Sequence, residues 1–131
     1  MDVAQAIKRA NSILPGVSAP DGEDDPRWQA IIDVGEFIQS NPEDVWSFVA
    51  KWAAHSDEDL RSAIATCLLE HLLEYHFEKI FPRVEYLAQK NVQFAHTFLL
   101  CHQFGESETN ENSIRFEQLK KRIQKVRSSA T

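Results

Sequence analysis

Apolar residues return at intervals of three and four from Val3 to Val126, and no stretch keeps the two-residue rhythm of a strand for more than a few positions. A chain patterned in this way folds as helices, so the fold class read from it is all-α. Turn residues divide the pattern into about seven segments. Val3, Ala6, Ile7, Ala10, Ile13 and Leu14 place an amphipathic helix at 2–14, stopped by Pro15-Gly16. The Gly/Pro/Asp-rich run from Pro15 to Asp25 reads as an exposed connector. Asp25 then caps a helix opened by Pro26, with Trp28, Ile31, Ile32, Val34, Gly35 and Ile38 turned to the core.

Asn41-Pro42-Glu43-Asp44 opens a third helix, carrying Val45, Phe48, Val49, Trp52 and Ala53. Only Ser40 and Asn41 separate it from the second, so the two are expected to pack as an antiparallel hairpin. Ser56 and Asp59 form a capping-box-like start for a long helix at 57–80, whose solvent edge carries Thr66, Glu70, Glu74 and Glu78. Pro82 opens a short helix and Asn91 the next, which buries Val92, Ala95, Phe98 and Leu99 and is stopped by Gly105. After a loop at 106–112, Phe116, Leu119, Ile123 and Val126 give a last helix at 113–127 with a stripe suited to one neighbour.

The 131 residues allow one domain, 1–131. Cys67 and Cys101 are too few for a disulfide framework, and both fall on apolar helical stripes. The N-terminal residues lack an export pattern, and no apolar run approaches the ~20 residues that cross a bilayer. A cytoplasmic protein with no membrane role is expected. The net charge of −6 conceals an asymmetry: residues 1–112 carry 8 Lys/Arg against 19 Asp/Glu (−11), and residues 113–131 carry 6 against 1 (+5). Such a body repels phosphate backbones, attracts basic proteins, and can hold its own basic tail.

The most chemical segment is Glu70-His71-Leu72-Leu73-Glu74-Tyr75-His76-Phe77-Glu78. His71, Glu74 and Glu78 share one helical face and are the weak candidates for a metal site. Carboxylates at successive fours are more often a solvated edge, and no Glu-x-x-His pair of the di-metal bundles occurs. No catalytic residue and no cofactor is assigned. Trp46 and Trp52 diverge on one helix; Trp52 is read as core and Trp46 as either core or an anchor for a partner.

The segment Val49-Ala50-Lys51-Trp52-Ala53-Ala54-His55-Ser56-Asp57-Glu58-Asp59-Leu60-Arg61-Ser62-Ala63-Ile64 resembles HEAT-like repeats, specifically those of the bacterial DNA alkylation-repair superfamily. A weak internal period of about 35 residues, aligning 52–68 with 87–103, accompanies the resemblance. It covers about 26–105 and implies an α-solenoid-like single domain of stacked antiparallel helix pairs, flanked by the helix at 2–14 and the basic helix at 113–127. It further implies a structural role for Asp57, Asp59 and Arg61. The acidic body does not suit the basic cradle of an alkyl-base glycosylase.

These readings converge on a non-catalytic protein–protein interaction module. The expected partner is a protein, a basic one on the argument of charge, meeting an acidic face of Glu70, Glu74, Glu78 and Trp46. A bacterial immunity or antitoxin protein is the concrete version. The alternatives are a nucleic-acid-associated, repair-like protein using the basic C-terminal helix, with nucleic acid disfavoured as the main ligand, and a metal-dependent enzyme.

Overall fold

A computed structural model of the chain describes residues 1–20 and 22–129; the side chains of Ser128 and Ser129 are not among the parts described. Every regular element among these residues is helical. α1 (Val3–Ile13) begins with a reciprocal cap in which Gln5 N–H donates to Asp2 Oδ1 and Asp2 N–H to Gln5 Oε1, each at 2.8 Å. α2 (Pro26–Gly35) starts on Asp25, as its Asp-Pro signature predicts. α3 (Pro42–Trp52) follows Asn41, but the Asn41 side chain accepts from Ser40 Oγ instead of capping the helix.

The hairpin expected of α2 and α3 does not form. Residues 36–40 add tight turns that carry Phe37 N–H to Val34 and Asn41 N–H to Phe37. α2 packs chiefly on α1 and on the segment around Leu68, and α3 on α1 and on the helices that follow at Glu58–Ile64 and Glu70–Lys90. Nor does Trp28 face the core. Trp28 and Ile32 are exposed, while Arg27 is buried beside Asp25. The Arg27 guanidinium donates to both Asp25 oxygens, to the Pro15 carbonyl at 3.2 Å and to Ser18 Oγ at 3.1 Å. The connector from Pro15 to Asp25 is thus tied to a buried cation. That ion pair also draws the Asp25 carboxyl down to about 2.

The long helix expected at 57–80 is two helices joined by a wider turn. α4 (Glu58–Ile64) is capped by Asp57, which accepts from Leu60 N–H at 3.2 Å, so the cap is Asp57 and not Ser56. A π-helical turn, Ala65–Leu69, leads into α5 (Glu70–Lys90). Its i→i+5 bonding rotates the residues beyond it relative to a continuous α-helix. Thr66, before the shift, is exposed; Glu70, four residues on, is buried at 5% exposure.

α5 is broken inside. His76 has φ −138° and ψ 45°, outside the helical region, and its Nε2 donates to the Ile38 carbonyl at 3.0 Å. The break lies six residues before Pro82, which sits within the restarted helix and does not open one. α6 (Val92–Leu99) is capped by Asn91, accepting from Phe94 N–H at 2.8 Å. Gly105 has the left-handed φ of +52° but does not stop α6, which has already ended; it begins a 3-10 turn, Gly105–Glu108, that feeds α7 (Asn110–Ser129).

One apolar core runs from Ala6 to Ile123. α1 belongs to it through Ala6, Ala10 and Leu14, and Trp52 Nε1 donates to Asn11 Oδ1 at 2.7 Å. At the other end, Phe77, Phe81, Phe98 and Phe116 form a continuous aromatic series joining α5, α6 and α7, with successive centroids 4.6, 6.3 and 4.8 Å apart.

Candidate functional site

The three glutamates of the expected acidic edge do not form a free strip. Each is engaged by the C-terminal third of the chain or by its own helix. Glu70 accepts the His102 backbone N–H at 2.8 Å, with His102 Nδ1 at 3.2 Å. Glu74 Oε1 lies 2.7 Å from His71 Nδ1, and the His71 ring stacks on Phe104 at 5.7 Å. Glu78, beyond the break at His76, pairs with Arg115, whose guanidinium also lies over the rings of Phe77 and Phe81. The same surface holds a fourth tie: Phe77 N–H, freed by the break, donates to Glu106 Oε1 at 3.0 Å.

The three weak metal candidates are not brought to one point. His71 and Glu74 are in contact, but Glu78 is turned to Arg115. Among the described residues no group of three or more His, Cys, Asp and Glu is arranged to hold a metal ion. Trp46 is core: it is buried, and its ring meets Phe94 edge-on at 6.0 Å between α3 and α6. Asp57 caps α4, and Arg61 donates to the Gln93 carbonyl at 3.2 Å, tying α4 to α6; no ion pair joins Arg61 to Asp57 or Asp59 among the described residues.

The basic tail is half consumed in holding α7 down. Arg115–Glu78 and Arg122–Glu85, both at 3.1 Å, are one heptad apart on each helix, so α5 and α7 run parallel with α6 packed against both. Lys120 donates to the Cys101 carbonyl at 2.6 Å. Lys121, Lys125 and Arg127 are exposed and make no ion pair among the described residues.

Beside them lies an open groove of about 670 Å³ between the end of α5, the start of α6 and the second half of α7. Its floor is Ala95, Leu119 and Ile123. Its edges are Val92 on α6 and Val126 on α7, 66% and 70% exposed, both of which the apolar pattern assigns to the core. Lys90, Arg122, Lys125 and Arg127 stand on its rim, and no Asp or Glu among the described residues lines it. His96 also lines it; burial, and then Arg127 and Arg61, hold its pKa below the ordinary value.

Pattern reasoning misses this groove because it treats an apolar residue on a stripe as covered. The signal available was length. α7 spans 20 residues and α6 only 8, about 30 and 12 Å, so the shorter helix cannot receive the whole stripe of the longer. The two thiols offer no comparable site. Burial raises the pKa of Cys67 and pushes that of the fully buried Cys101 far up, away from the reactive thiolate.

No family model, no curated protein and no solved structure matches this chain. No helix among the described residues is long and apolar enough to cross a membrane.

Proposed function

We propose that the chain is a non-catalytic protein–protein interaction module whose docking surface is the α6–α7 groove. The observation that carries this reading is the pair Val92 and Val126, two-thirds exposed on facing walls above an apolar floor. Apolar side chains at facing edges cost free energy in water and gain it when a partner covers them. The groove is open along one side, and a small ligand is held by walls that bury most of its surface. A protein partner brings the missing wall itself.

We place the docking surface away from the acidic edge, where Glu70 is buried and Glu74 and Glu78 are paired within the chain. An immunity- or antitoxin-type protein of a bacterial cytoplasm is the concrete form proposed for such a module, on its small size. The HEAT-like resemblance of Val49–Ile64 supports a scaffold of this kind over an enzyme.

A photo-crosslinking residue at position 126 or 92, compared with one at the exposed Lys8 on α1, tests the proposal in the native host. A discrete protein adduct from the groove positions and none from position 8 is the expected result. Adducts of equal yield from all three positions, or none from any, would remove the groove as the docking surface.

A further inference from the structure

We propose that the occupant of the α6–α7 groove is an acidic amphipathic helix of a partner protein. This rests on the interaction reading above and names the chemistry of its partner. Charge complementarity carries it. In a chain of net charge −6, the groove gathers Lys90, Arg122, Lys125 and Arg127 on its rim and no acidic side chain among the described residues. Arg122 is already paired with Glu85, so Lys90, Lys125 and Arg127 supply most of the unbalanced field. At His96, which lines the groove, Arg127 and Arg61 act in the same direction as burial, lowering its pKa, as positive charge beside the groove would.

The shape specifies a helix. The trough lies between two helices, and the stretch from Leu119 to Arg127 rises about 12 Å, a little over two helical turns. A third helix laid along it presents apolar side chains at i, i+4 and i+7 to Ala95, Leu119 and Ile123, and its flanks face the cations. Carboxylates on those flanks complete the fit, and lysines there would meet like charge. A nucleic acid uses the same cations, but it leaves the apolar floor and Val92 and Val126 without a partner, and it meets repulsion from the −11 body.

The test pans the full chain against displayed helical peptides of about 15 residues, long enough to hold some helix alone. Leu is fixed at i, i+4 and i+7, and the flanking positions are randomised among Glu, Gln and Lys. Selection of Glu at the flanks is expected. Affinity for the selected peptide, read by fluorescence anisotropy, should fall about tenfold or more in the double variant Lys125→Glu/Arg127→Glu, whose exposed side chains leave the fold intact by circular dichroism. Val126→Glu should abolish binding.

Selection of Gln or Lys flanks overturns the acidic partner and leaves the groove as a docking site. No enrichment over the Val126→Glu chain overturns both readings. Tighter binding of a short poly-dT strand, lost in the double variant, assigns the cations to nucleic acid. A dimer of the chain itself that Val126→Glu splits into monomers assigns the groove to a second copy, and either result overturns the proposal.

Discussion

Replacing Glu106 should loosen the helix that restarts after His76. In an unbroken α5 the Phe77 N–H would donate to Leu73; with His76 out of helical geometry it donates to the Glu106 carboxylate at 3.0 Å, across 29 residues of chain. The carboxylate therefore acts as an N-cap supplied from another element. It also places negative charge near the positive end of the restarted helix. Loss of a capping side chain costs about 0.5–2 kcal/mol, and loss of a favourable charge at a helix N-terminus about 0.3–1 kcal/mol. Their overlap gives about 1–2 kcal/mol for Glu106→Ala. With an unfolding entropy of about 2.1 cal/mol/K per residue, that is a fall in Tm of about 4–7 °C for this chain. Glu106→Gln keeps an acceptor without the charge and should lose about half as much. Glu108→Ala, in the same 3-10 turn, is the control and should leave Tm within about a degree. Differential scanning calorimetry reads the three midpoints, and hydrogen exchange should show faster opening at Phe77 in the alanine variant. A Glu106→Ala protein that melts with the wild type, or a Glu108→Ala protein that loses as much, would refute the capping account.

The geometry sets three further outcomes. A Cβ on Gly105 would lie 2.8 Å from the Glu74 carbonyl oxygen at φ +52°, so Gly105→Ala should lower stability by about 2–4 kcal/mol in urea melts, whereas Gly22→Ala, with open space around it, should cost only about 1–2 kcal/mol. Thr97 Oγ1 donates to the Ala53 carbonyl at 2.6 Å inside the core, so Thr97→Val should cost about 1–2 kcal/mol by the same assay, and an unchanged midpoint would show that carbonyl to be satisfied otherwise. The Asp25 carboxyl is held at about 2 against an ordinary 3.8, chiefly by Arg27. Its contribution is complete above the ordinary value and is lost as pH falls toward 2, because there the unfolded chain binds the proton first; Asp25→Asn should be less stable at neutral pH and should show a shallower acid-unfolding curve between about pH 4 and pH 2.

Much of the fold was legible because its signals are local. Asp25-Pro26 and Asn91 act within one turn of themselves, and the structure starts α2 and α6 where they stand. The stripe of α1 needs nothing beyond its own spacing. The features that pattern alone does not reveal all draw on distant partners. His76 leaves the helix at a point where Ile38 supplies a carbonyl to its ring and Glu106 a carboxylate to the next N–H. Arg27 takes the inward place expected of Trp28 because Asp25, Pro15 and Ser18 surround its guanidinium with acceptors. Neither exchange can be inferred from a periodicity that ranks tryptophan above arginine.

The acidic edge shows how one such error redirects a functional reading. Glu70, Glu74 and Glu78 lie at successive fours, and on a continuous helix they would share one solvated face. The break at His76 lies between the outer two and sets them on different surfaces, Glu70 inward to His102 and Glu78 outward to Arg115. Carboxylates expected to face a basic partner are spent on the chain's own C-terminal third. The −11 body and +5 tail are thereby partly neutralised against each other, through Glu78–Arg115 and Glu85–Arg122. Of the cations left over, Lys90, Lys125 and Arg127 lie where the stripe of α7 outruns the short α6, and so they border exposed apolar surface. A partner docking in the groove, as proposed, would therefore meet bases, whereas at the expected edge Glu70 is buried and Glu74 and Glu78 are paired with His71 and Arg115.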